Sequence, residues 1–306
     1  MRWLRLAFGI GIFLLAAGAL RDVIAGYRWN DFIRLAAAVP RVHLILAIAL
    51  SLTGYAVMTG YDTIAFRYVD RALPYGWIAF ASFTGYAINN TLGLSGIVGS
   101  TLRYRFYRGW GIRAGEIARV FVFCTVTYWL GFVLLGGSVF LLAAPRLPPS
   151  LHIPFGSMRA FGALMLVPAL LYVFWITVQR RPLRVREWEI QLPAWPIFIA
   201  QLAISMGDWT LAGGVLNVVL PPSAHIPFVS VLAVFLLAQI AGLVSNVPGG
   251  LGVFDFIVVR LLSPYFSTAP VLGALLVFRG VYFLLPLAMA LLLLAAHEVF
   301  VRRIRN

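Results

Sequence analysis

The feature that most constrains this chain is a series of long stretches without a charged residue. Seven such stretches follow one another along the chain: 6–20, 42–61, 72–102, 120–145, 160–179, 209–254 and 280–297. A helix needs about 20 mostly apolar residues to cross a bilayer, and a soluble core does not bury so many helices that are apolar on every side. Only 11% of the residues are charged, whereas soluble domains have about 25%. The sequence therefore predicts an all-α, polytopic integral membrane protein.

The arginines predict which connections face the cytoplasm. All 24 basic residues are Arg, and the net charge is +14. The arginines cluster at 67–71, 103–119, 180–186 and 302–305. The connections that hold almost none are 145–158, 221–227 and 263–270. By the positive-inside rule, the first set lies in the cytoplasm and the second outside. Arginines between apolar segments fit topology signals and contacts with anionic lipid headgroups, so no nucleic-acid partner is expected.

The N-terminal part of the chain has two interpretations. Its first apolar run follows two arginines, as the apolar region of a signal peptide would. Because the rest of the chain is equally apolar, we expect this run to be retained as a first membrane helix at 4–20. The connection 21–41 interleaves Arg with Asp and is expected to form an amphipathic helix at the outer membrane surface.

The segment 72–102 cannot cross the membrane once, because predicted cytoplasmic arginines flank both of its ends. It is also too short for two full crossings. Its middle, from Asn89 to Ser100, is rich in Asn, Gly and Ser, which are weak helix formers. We therefore predict a re-entrant hairpin that enters from the cytoplasm.

The segment 227–265 presents the same problem from the other side, because both of its ends are predicted to lie outside. Its middle contains the sequence Pro-Gly-Gly-Leu-Gly at 248–252, which an uninterrupted helix does not accommodate. We predict a second re-entrant hairpin, entering from outside; for each hairpin the alternative is a loop between two ordinary helices. Six full crossings are then expected: 4–20, 42–66, 116–144, 159–178, 195–220 and 271–297.

Two broken hairpins that approach each other inside a bilayer are typical of transporters. Backbone N–H and C=O groups that a broken helix exposes survive in a membrane only where they line a polar or wet cavity. The N-terminal ends of half-helices also attract an anionic headgroup. The residues at the two predicted tips, Asn89, Asn90, Gly249 and Gly250, are therefore candidates for a translocation site.

Charged residues inside apolar segments are the second group of candidates. Asp208 lies near the middle of the predicted crossing 195–220. An ionised carboxylate there costs about 2.5–3.5 kcal/mol on insertion scales, so it normally faces a cavity or a partner; the alternative is a neutral structural Asp. Asp62 and Arg103 are predicted to lie toward the same membrane face. They are expected to pair or to bind a headgroup together, and the alternative is a plain interfacial salt bridge.

Three further charged residues complete the candidate set. Arg105 follows the first hairpin, and Asp255 and Arg279 lie in or beside the second hairpin and the last helix. The chain shows no metal-ligand spacing, nucleophile motif or phosphate-binding loop. No catalytic residue, metal or cofactor is therefore expected. Since no nucleotide-binding motif is present, an ion or lipid gradient must drive any transport, or the transport is passive.

Four sequence blocks also carry a family resemblance. They cover 60–68, 81–93, 102–107 and 247–255, and include the sequences Gly-Tyr-Asp, Tyr-Ala-Ile-Asn-Asn-Thr-Leu-Gly, Leu-Arg-Tyr-Arg-Phe-Tyr and Val-Pro-Gly-Gly-Leu-Gly-Val-Phe-Asp. In this order they resemble the multiple peptide resistance factor family, which comprises the lysylphosphatidylglycerol synthase/flippase proteins and their stand-alone membrane relatives. The resemblance extends over nearly the whole chain.

The resemblance implies a lipid flippase in the bacterial cytoplasmic (inner) membrane. Such a protein moves aminoacylated phosphatidylglycerol from the inner to the outer leaflet, where the positive charge of the lipid repels cationic antimicrobial peptides. The family's intramembrane acid falls on Asp62, and its arginine after the first hairpin falls on Arg103. Two acids that are usually Glu fall on Asp208 and Asp255, which shortens each carboxylate but keeps its charge.

In the resembling family a soluble C-terminal domain makes the lipid from aminoacyl-tRNA. Residues 1–306 are expected to form one membrane domain without such a synthase domain, so the lysyltransferase reaction does not carry over to this chain. Both the flippase half of a longer protein and a stand-alone relative remain open.

Two other functions fit the same sequence. The chain could be the membrane region or anchor of a lysylphosphatidylglycerol synthase, or an ion-coupled secondary transporter of small solutes. The expected partners are anionic and aminoacylated phospholipids. A homodimer is compatible with the small-residue helix faces, and a synthase domain or subunit is compatible with the family resemblance.

Overall fold

The computed structural model describes residues 34, 37–92, 97–145, 157–179, 183–185, 188–190, 192–222, 226–245 and 247–305. Their α-helices are α1 (Arg41–Tyr68), α2 (Tyr75–Leu92), α3 (Ile97–Gly109), α4 (Ala114–Leu142), α5 (Met158–Phe174), α6 (Trp195–Val219), α7 (Phe228–Ser245), α8 (Val253–Leu262), α9 (Thr268–Arg279) and α10 (Leu285–Arg305). The predicted all-α fold class is confirmed. Two three-residue strands, β1 (Leu183–Val185) and β2 (Trp188–Ile190), form an antiparallel pair between α5 and α6.

Six segments of the described chain are long and apolar enough to cross a membrane: Arg41–Tyr68, Ala114–Leu142, Met158–Val178, Trp195–Val219, Phe228–Ser245 and Thr268–Phe300. Five coincide with predicted crossings. The sixth is α7, which we had assigned to an arm of the second hairpin. The predicted crossing at 4–20 and most of the predicted helix at 21–41 lie outside the described residues. The chain is a multi-pass membrane protein.

Helices α1, α4 and α6 form the centre of the bundle. Gly60 of α1 packs against α6, where an added Cβ would lie 2.8 Å from Ile204 Cδ1. Gly131 of α4 packs against Ser205 of α6 so closely that a side chain there would overlap it. Small residues allow such close approach between membrane helices, which are held together mainly by packing and hydrogen bonds. The middle of α6 is therefore held firmly between its two neighbours.

The first helical hairpin consists of α2 and α3. Its arms approach through two glycines, because any side chain on Gly99 would collide with the carbonyl oxygen of Gly85. Asn89 Oδ1 accepts a hydrogen bond from Gly99 N at 2.8 Å, which joins the two arms near the tip. Residues 93–96, which connect the arms, lie outside the described residues.

The second helical hairpin consists of α7 and α8, joined by a 3-10 turn at Pro248–Gly250. Gly249, Gly250 and Gly252 have φ values of +59°, +61° and +79°. Only glycine adopts this left-handed region without a steric penalty, so the Pro-Gly-Gly-Leu-Gly sequence makes the sharp turn. The α-helix is interrupted at this turn.

The tips of the two hairpins meet beside the middle of α1. Asn90, near the first tip, donates a hydrogen bond to the hydroxyl of Tyr55 at 3.3 Å. Gly249, at the second tip, lies against the first tip, where an added Cβ would be 3.5 Å from Thr91 O. Tyr55 is close to the midpoint of α1, so both tips reach roughly half the length of this helix.

The open ends of the hairpins point in opposite directions along α1. Tyr107, near the end of α3, packs edge-to-face on Phe66 in the C-terminal part of α1, with ring centroids 4.8 Å apart. In contrast, Phe228 and Phe266, which flank the second hairpin, line a cavity with His43 near the N-terminus of α1. That these ends lie at opposite membrane faces stays a prediction from the charge pattern.

The last membrane helix changes its hydrogen-bond pattern opposite the hairpin tips. A π-helical segment, Gly280–Leu284, separates α9 from α10. Three successive carbonyls of this segment accept hydrogen bonds from the hydroxyls of Ser51, Tyr55 and Thr91, at 3.0, 3.1 and 3.2 Å. π-Helical turns are frequent at functional sites. Here the segment fixes the last helix to α1 and to the tip of the first hairpin.

Candidate functional site

A cavity of about 480 Å³ lies where the hairpin tips meet the central bundle. Its walls come from both hairpins, α1, α4, α6 and the π-helical segment. Of the ten predicted site residues, the cavity is lined by Asn89, Asn90, Arg103, Asp208, Gly249 and Gly250. Residues more than 150 positions apart in the chain thus share one polar space.

The cavity opens sideways between α4 and α7. Thr125 and Trp129 of α4 and Leu243 of α7 line the cavity and are exposed, the two large side chains at 44% each. Their neighbours Val126 and Val244 are exposed as well. Exposed apolar side chains of membrane helices face acyl chains, so the mouth of the cavity opens toward lipid.

A buried ion pair lies behind one wall of the cavity. Arg103 Nη2 pairs with Asp62 Oδ1, and both residues are almost fully buried, at 3% and 0% exposure. Tyr107 Oη donates to the same carboxylate oxygen at 2.7 Å. The Arg103 guanidinium carbon also lies 4.6 Å and 4.7 Å from the ring centroids of Tyr86 and Phe121. This cation is therefore held by a carboxylate and by two aromatic faces.

Arg103 faces the cavity, whereas Asp62 is not among the residues that line it. Arg103 Nε is a buried donor without a hydrogen-bond partner in the described part of the protein. Buried donors are nearly always satisfied in native proteins. Nε is itself enclosed by protein, so the structure shows Arg103 lining the cavity without showing Nε open to it.

Asp208 has a different environment from Asp62. It lines the cavity with 4% exposure and accepts one hydrogen bond, from Tyr61 Oη to Asp208 Oδ2 at 2.9 Å. No Arg or His of the described chain lies within ion-pair distance of it. A buried ionised carboxylate without a cation is costly, so a positively charged ligand is the natural complement of this position.

Aromatic rings surround the Asp208 carboxylate. The rings of Tyr128 and Trp209 lie 4.9 Å apart, and the ring of Tyr61 lies 6.0 Å from Tyr86 and 6.5 Å from Tyr128. All four side chains line the cavity together with Asp208. Aromatic faces attract ammonium groups, most strongly away from water. The site thus combines one uncompensated carboxylate with several cation-binding rings.

Sequence reasoning missed the aromatic residues around Asp62 and Asp208, although the sequence held two signals. Tyr107 lies four positions after Arg103 on one helix, so the two side chains share a face. Tyr61, whose hydroxyl donates to Asp208, directly precedes Asp62 in the sequence. One turn of α1 therefore carries Asp62 and a hydrogen-bond donor to Asp208. Tyr128 carried no signal, because an aromatic residue in an apolar helix is usually a packing residue.

Asp255 and Arg279 fasten the tip of the second hairpin. Arg279 Nη2 and Nε lie 2.6 Å and 3.1 Å from the two oxygens of Asp255. Arg279 Nη1 also reaches Gly249 O at 3.4 Å, and Asp255 Oδ2 accepts from Gly252 N at 3.0 Å. Neither charged residue lines the cavity. Asp255 and Arg279 affect the cavity indirectly, because they hold the turn that contributes to its wall.

Arg105 is the fourth predicted site residue that does not line the cavity. Its side chain is exposed on α3. Residues 103 and 105 are two positions apart on a helix and therefore point in different directions. The sequence placed both near the first hairpin, but only the fold shows which of them faces inward.

Comparison with known proteins places this chain in a family. The family described as the lysylphosphatidylglycerol synthase TM region matches residues 2–290. The chain belongs to this family. Membership confirms the resemblance seen in the four sequence blocks and supports a membrane role related to lipids.

Individual relatives differ in length. Protein slr0712 of Synechocystis sp. is 37% identical over 97% of this chain and 92% of that protein. Inner membrane protein YbhN of Escherichia coli is 29% identical over 90% of this chain and 87% of that protein. Phosphatidylglycerol lysyltransferase of Staphylococcus aureus (strain COL) is 25% identical over 95% of this chain but only 34% of that enzyme. The chain therefore matches nearly all of the first two relatives and about a third of the lysyltransferase.

Proposed function

We propose that this protein is a phospholipid translocase that moves aminoacylated phosphatidylglycerol, such as lysylphosphatidylglycerol, from the inner to the outer leaflet. The observation that carries this proposal is the laterally open cavity, which holds an uncompensated carboxylate near an arginine that is already neutralised. Family membership supports the lipid class of the substrate. The proposed site residues are those of the cavity and of the second hairpin's tip.

In this proposal the acyl chains stay in the bilayer while the headgroup enters between α4 and α7. Asp208 attracts the ammonium of the aminoacyl group, and the rings of Tyr61 and Tyr128 stabilise the same charge. The phosphate is attracted by the Arg103 guanidinium, because this residue lines the same cavity. Asp62 positions Arg103 rather than binding the headgroup, because it lies behind the arginine and is fully buried.

The opposed hairpins supply a way to move the headgroup between faces. Their tips meet at the cavity, and each tip closes one side of it. Movement of one tip at a time would open the cavity to one membrane face while the other stays closed, as in transporters with broken helices. The glycines and the Asp255–Arg279 pair make the second tip a defined, separable unit.

The biological consequence follows from the charge of the lipid. Aminoacylated phosphatidylglycerol in the outer leaflet reduces the negative surface potential that attracts cationic peptides. We place the protein in a bacterial inner membrane, in line with the name of its Escherichia coli relative. Resistance to cationic antimicrobial peptides is the expected phenotype.

Reconstitution tests the proposal directly. Purified protein in phosphatidylglycerol vesicles with lysylphosphatidylglycerol in one leaflet is assayed with a membrane-impermeant, amine-reactive reagent. We expect protein-dependent movement of the aminoacylated lipid that Asp208→Asn slows at least tenfold. Glu116→Gln is the matched control. The Glu116 carboxylate lies 2.7 Å from its partner Arg71, and this pair is away from the cavity. Wild-type flipping rates in Asp208→Asn would refute the headgroup site.

A second candidate is the membrane region of a lysylphosphatidylglycerol synthase. It is favoured by the match to 34% of a phosphatidylglycerol lysyltransferase. Here the cavity would present or receive lipid for a partner's reaction. Two results together would support this candidate over translocation. Deletion of the gene in its host would abolish lysylphosphatidylglycerol synthesis, and the purified protein would not flip the lipid.

A further inference from the structure

Asp208 is the exception among the buried carboxylates of the described chain. The set comprises Asp62, Glu116, Asp208 and Asp255. Three of the four form an ion pair with an arginine. Asp208 has a single neutral donor, the hydroxyl of Tyr61, at 2.9 Å. Among these four buried carboxylates, Asp208 is thus the one without an arginine partner.

The groups that face Asp208 from the neighbouring elements do not balance it. On α1 they are Tyr55 and Tyr61, on α4 Tyr128, and on the π-helical segment Tyr282. Helix α7 contributes no titratable side chain. The titratable group of α9 is Arg279, which is engaged by Asp255. Neutral phenols therefore surround the carboxylate, and they can donate hydrogen bonds but no positive charge.

Such a position strongly disfavours an isolated negative charge. Transfer of an unpaired carboxylate from water into an apolar interior is so costly that the group neutralises instead. An ammonium group in the same cavity removes this penalty, because an opposite charge at close range favours the ionised carboxylate. The empty and the loaded site therefore differ by one proton.

We propose that the protein exchanges protons for ammonium headgroups at Asp208. When the headgroup binds, the O–H bond of the carboxylic acid breaks, the proton passes to water, and the carboxylate pairs with the ammonium. When the headgroup leaves at the other face, the carboxylate takes a proton from that side. No covalent bond to the lipid forms, and one positive charge replaces another at each step.

The exchange rests on the proposed translocase function and adds the missing driving force. Protons and ammonium headgroups move in opposite directions through one site. Protons that enter the cell down their gradient would therefore drive the lipid outward. The other three buried carboxylates differ in that each forms an ion pair with an arginine of the protein itself.

The first test measures proton release on binding. Purified protein in detergent and weak buffer is titrated with short-chain lysylphosphatidylglycerol, with short-chain phosphatidylglycerol as the amine-free control. We expect about one proton released per lysyl lipid bound, none from phosphatidylglycerol, and none from Asp208→Asn. Asp208→Glu should restore release, and Glu116→Gln should match the wild type. Binding of the lysyl lipid to the wild type without proton release would overturn the proposal.

The second test follows both ions across a membrane. Vesicles with a trapped pH-sensitive dye receive lysylphosphatidylglycerol in the outer leaflet, and amine-reactive labelling tracks its inward movement. Coupled exchange makes the interior alkaline in step with lipid movement, and protein-free vesicles set the background. Lipid movement without alkalinisation would overturn the coupling and leave the translocase standing. Absence of both lipid movement and proton movement would overturn the translocase and the coupling together.

A variant that loses exchange must also be shown to fold. Asp208→Asn keeps the size and the hydrogen-bond acceptor of the side chain, and its elution as a single species with a wild-type melting profile is required. If Asp208→Asn binds the lysyl lipid and releases a proton as the wild type does, another group carries the proton and the assignment to Asp208 is wrong.

Discussion

Asp62 and Asp208 are buried carboxylates near one cavity, yet their surroundings are opposite. Asp62 has a guanidinium and a tyrosine hydroxyl on one oxygen, and it does not reach the cavity. Within the described part of the chain, Asp208 lines the cavity, accepts from one tyrosine hydroxyl and pairs with no cation. The same kind of side chain is thus part of a buried ion pair in one place and, among the described residues, has no cationic partner in the other.

The difference separates stability from function. Removing one partner of a buried ion pair leaves an uncompensated charge and destabilises the fold, whereas neutralising a carboxylate that has no partner removes a cost. Replacements around Asp62 should therefore act mainly on the free energy of unfolding. Replacements at Asp208 should act mainly on ligand binding. The four predictions that follow are ordered by their expected effect on stability.

Arg103→Met should have the largest effect. It leaves Asp62 buried with only the Tyr107 hydroxyl, and breaking a buried pair in this way costs about 3–5 kcal/mol. Thermal unfolding in detergent measures the loss. The double variant Asp62→Leu/Arg103→Met should recover most of it, because a buried pair replaced by apolar side chains is often neutral. A single variant as stable as the wild type would contradict the structural role of the pair.

Arg279→Met should have an intermediate effect. The Asp255–Arg279 pair is more exposed, at 11% and 18% for the two side chains, so we expect a loss of about 1–3 kcal/mol. Because Arg279 also holds Gly249 O, hydrogen exchange at the Pro248–Gly250 turn should accelerate. Glu116→Gln, which breaks a pair outside the turn, should leave that exchange unchanged. Unaltered exchange in Arg279→Met would show that the pair does not hold the tip.

Tyr61→Phe should have a smaller effect. It removes one hydrogen bond to Asp208 and no packing volume, so the expected loss is about 0.5–1.5 kcal/mol. Tyr107→Phe is the informative counterpart, since it removes the equivalent hydroxyl from Asp62. If Tyr61→Phe and Tyr107→Phe bind the lysyl lipid with equal affinity, the two carboxylates do not differ in their contribution to ligand binding.

Asp208→Asn should have the smallest effect on stability and the largest on transport. The amide oxygen still accepts from Tyr61, and the side chain is neutral in the ligand-free site of both proteins, so the melting temperature should stay close to the wild-type value. Lipid translocation should nevertheless fall at least tenfold. A destabilisation as large as that of Arg103→Met would mean that Asp208 is ionised and compensated in the folded protein.

Some parts of the site were predictable from the sequence because polar residues are rare in this chain. A charge inside an apolar stretch is costly wherever it occurs, so Asp208 and Arg103 were evident before any fold was known. The interruption at Pro248–Gly250 was equally evident, since Pro and Gly disfavour a helix by their backbone geometry. The helix bounds followed from apolar length, and five predicted crossings match described helices.

Other parts depended on helix rotation, which the sequence did not encode. In a membrane helix both the lipid-facing and the core-facing sides are apolar, so the periodicity that reveals a buried face in a soluble helix is weak. For this reason Arg105 was placed in the site and Tyr128 was not. Asp62 was expected to pair with Arg103 or to bind a headgroup together with it, and the fold shows the pair, with Asp62 behind Arg103.

The sequence by itself determined that the chain is a helical membrane protein, where two of its segments break, and which charges the membrane would not tolerate unpaired. These follow from local costs: dehydration of charge and backbone geometry. Only the tertiary structure decided that Arg103 compensates Asp62, that Asp208 has no cationic partner among the residues it describes, and that the cavity opens between α4 and α7. Those outcomes depend on how helices far apart in sequence are rotated and packed, and close packing of the glycines on α1, α3 and α4 sets that arrangement.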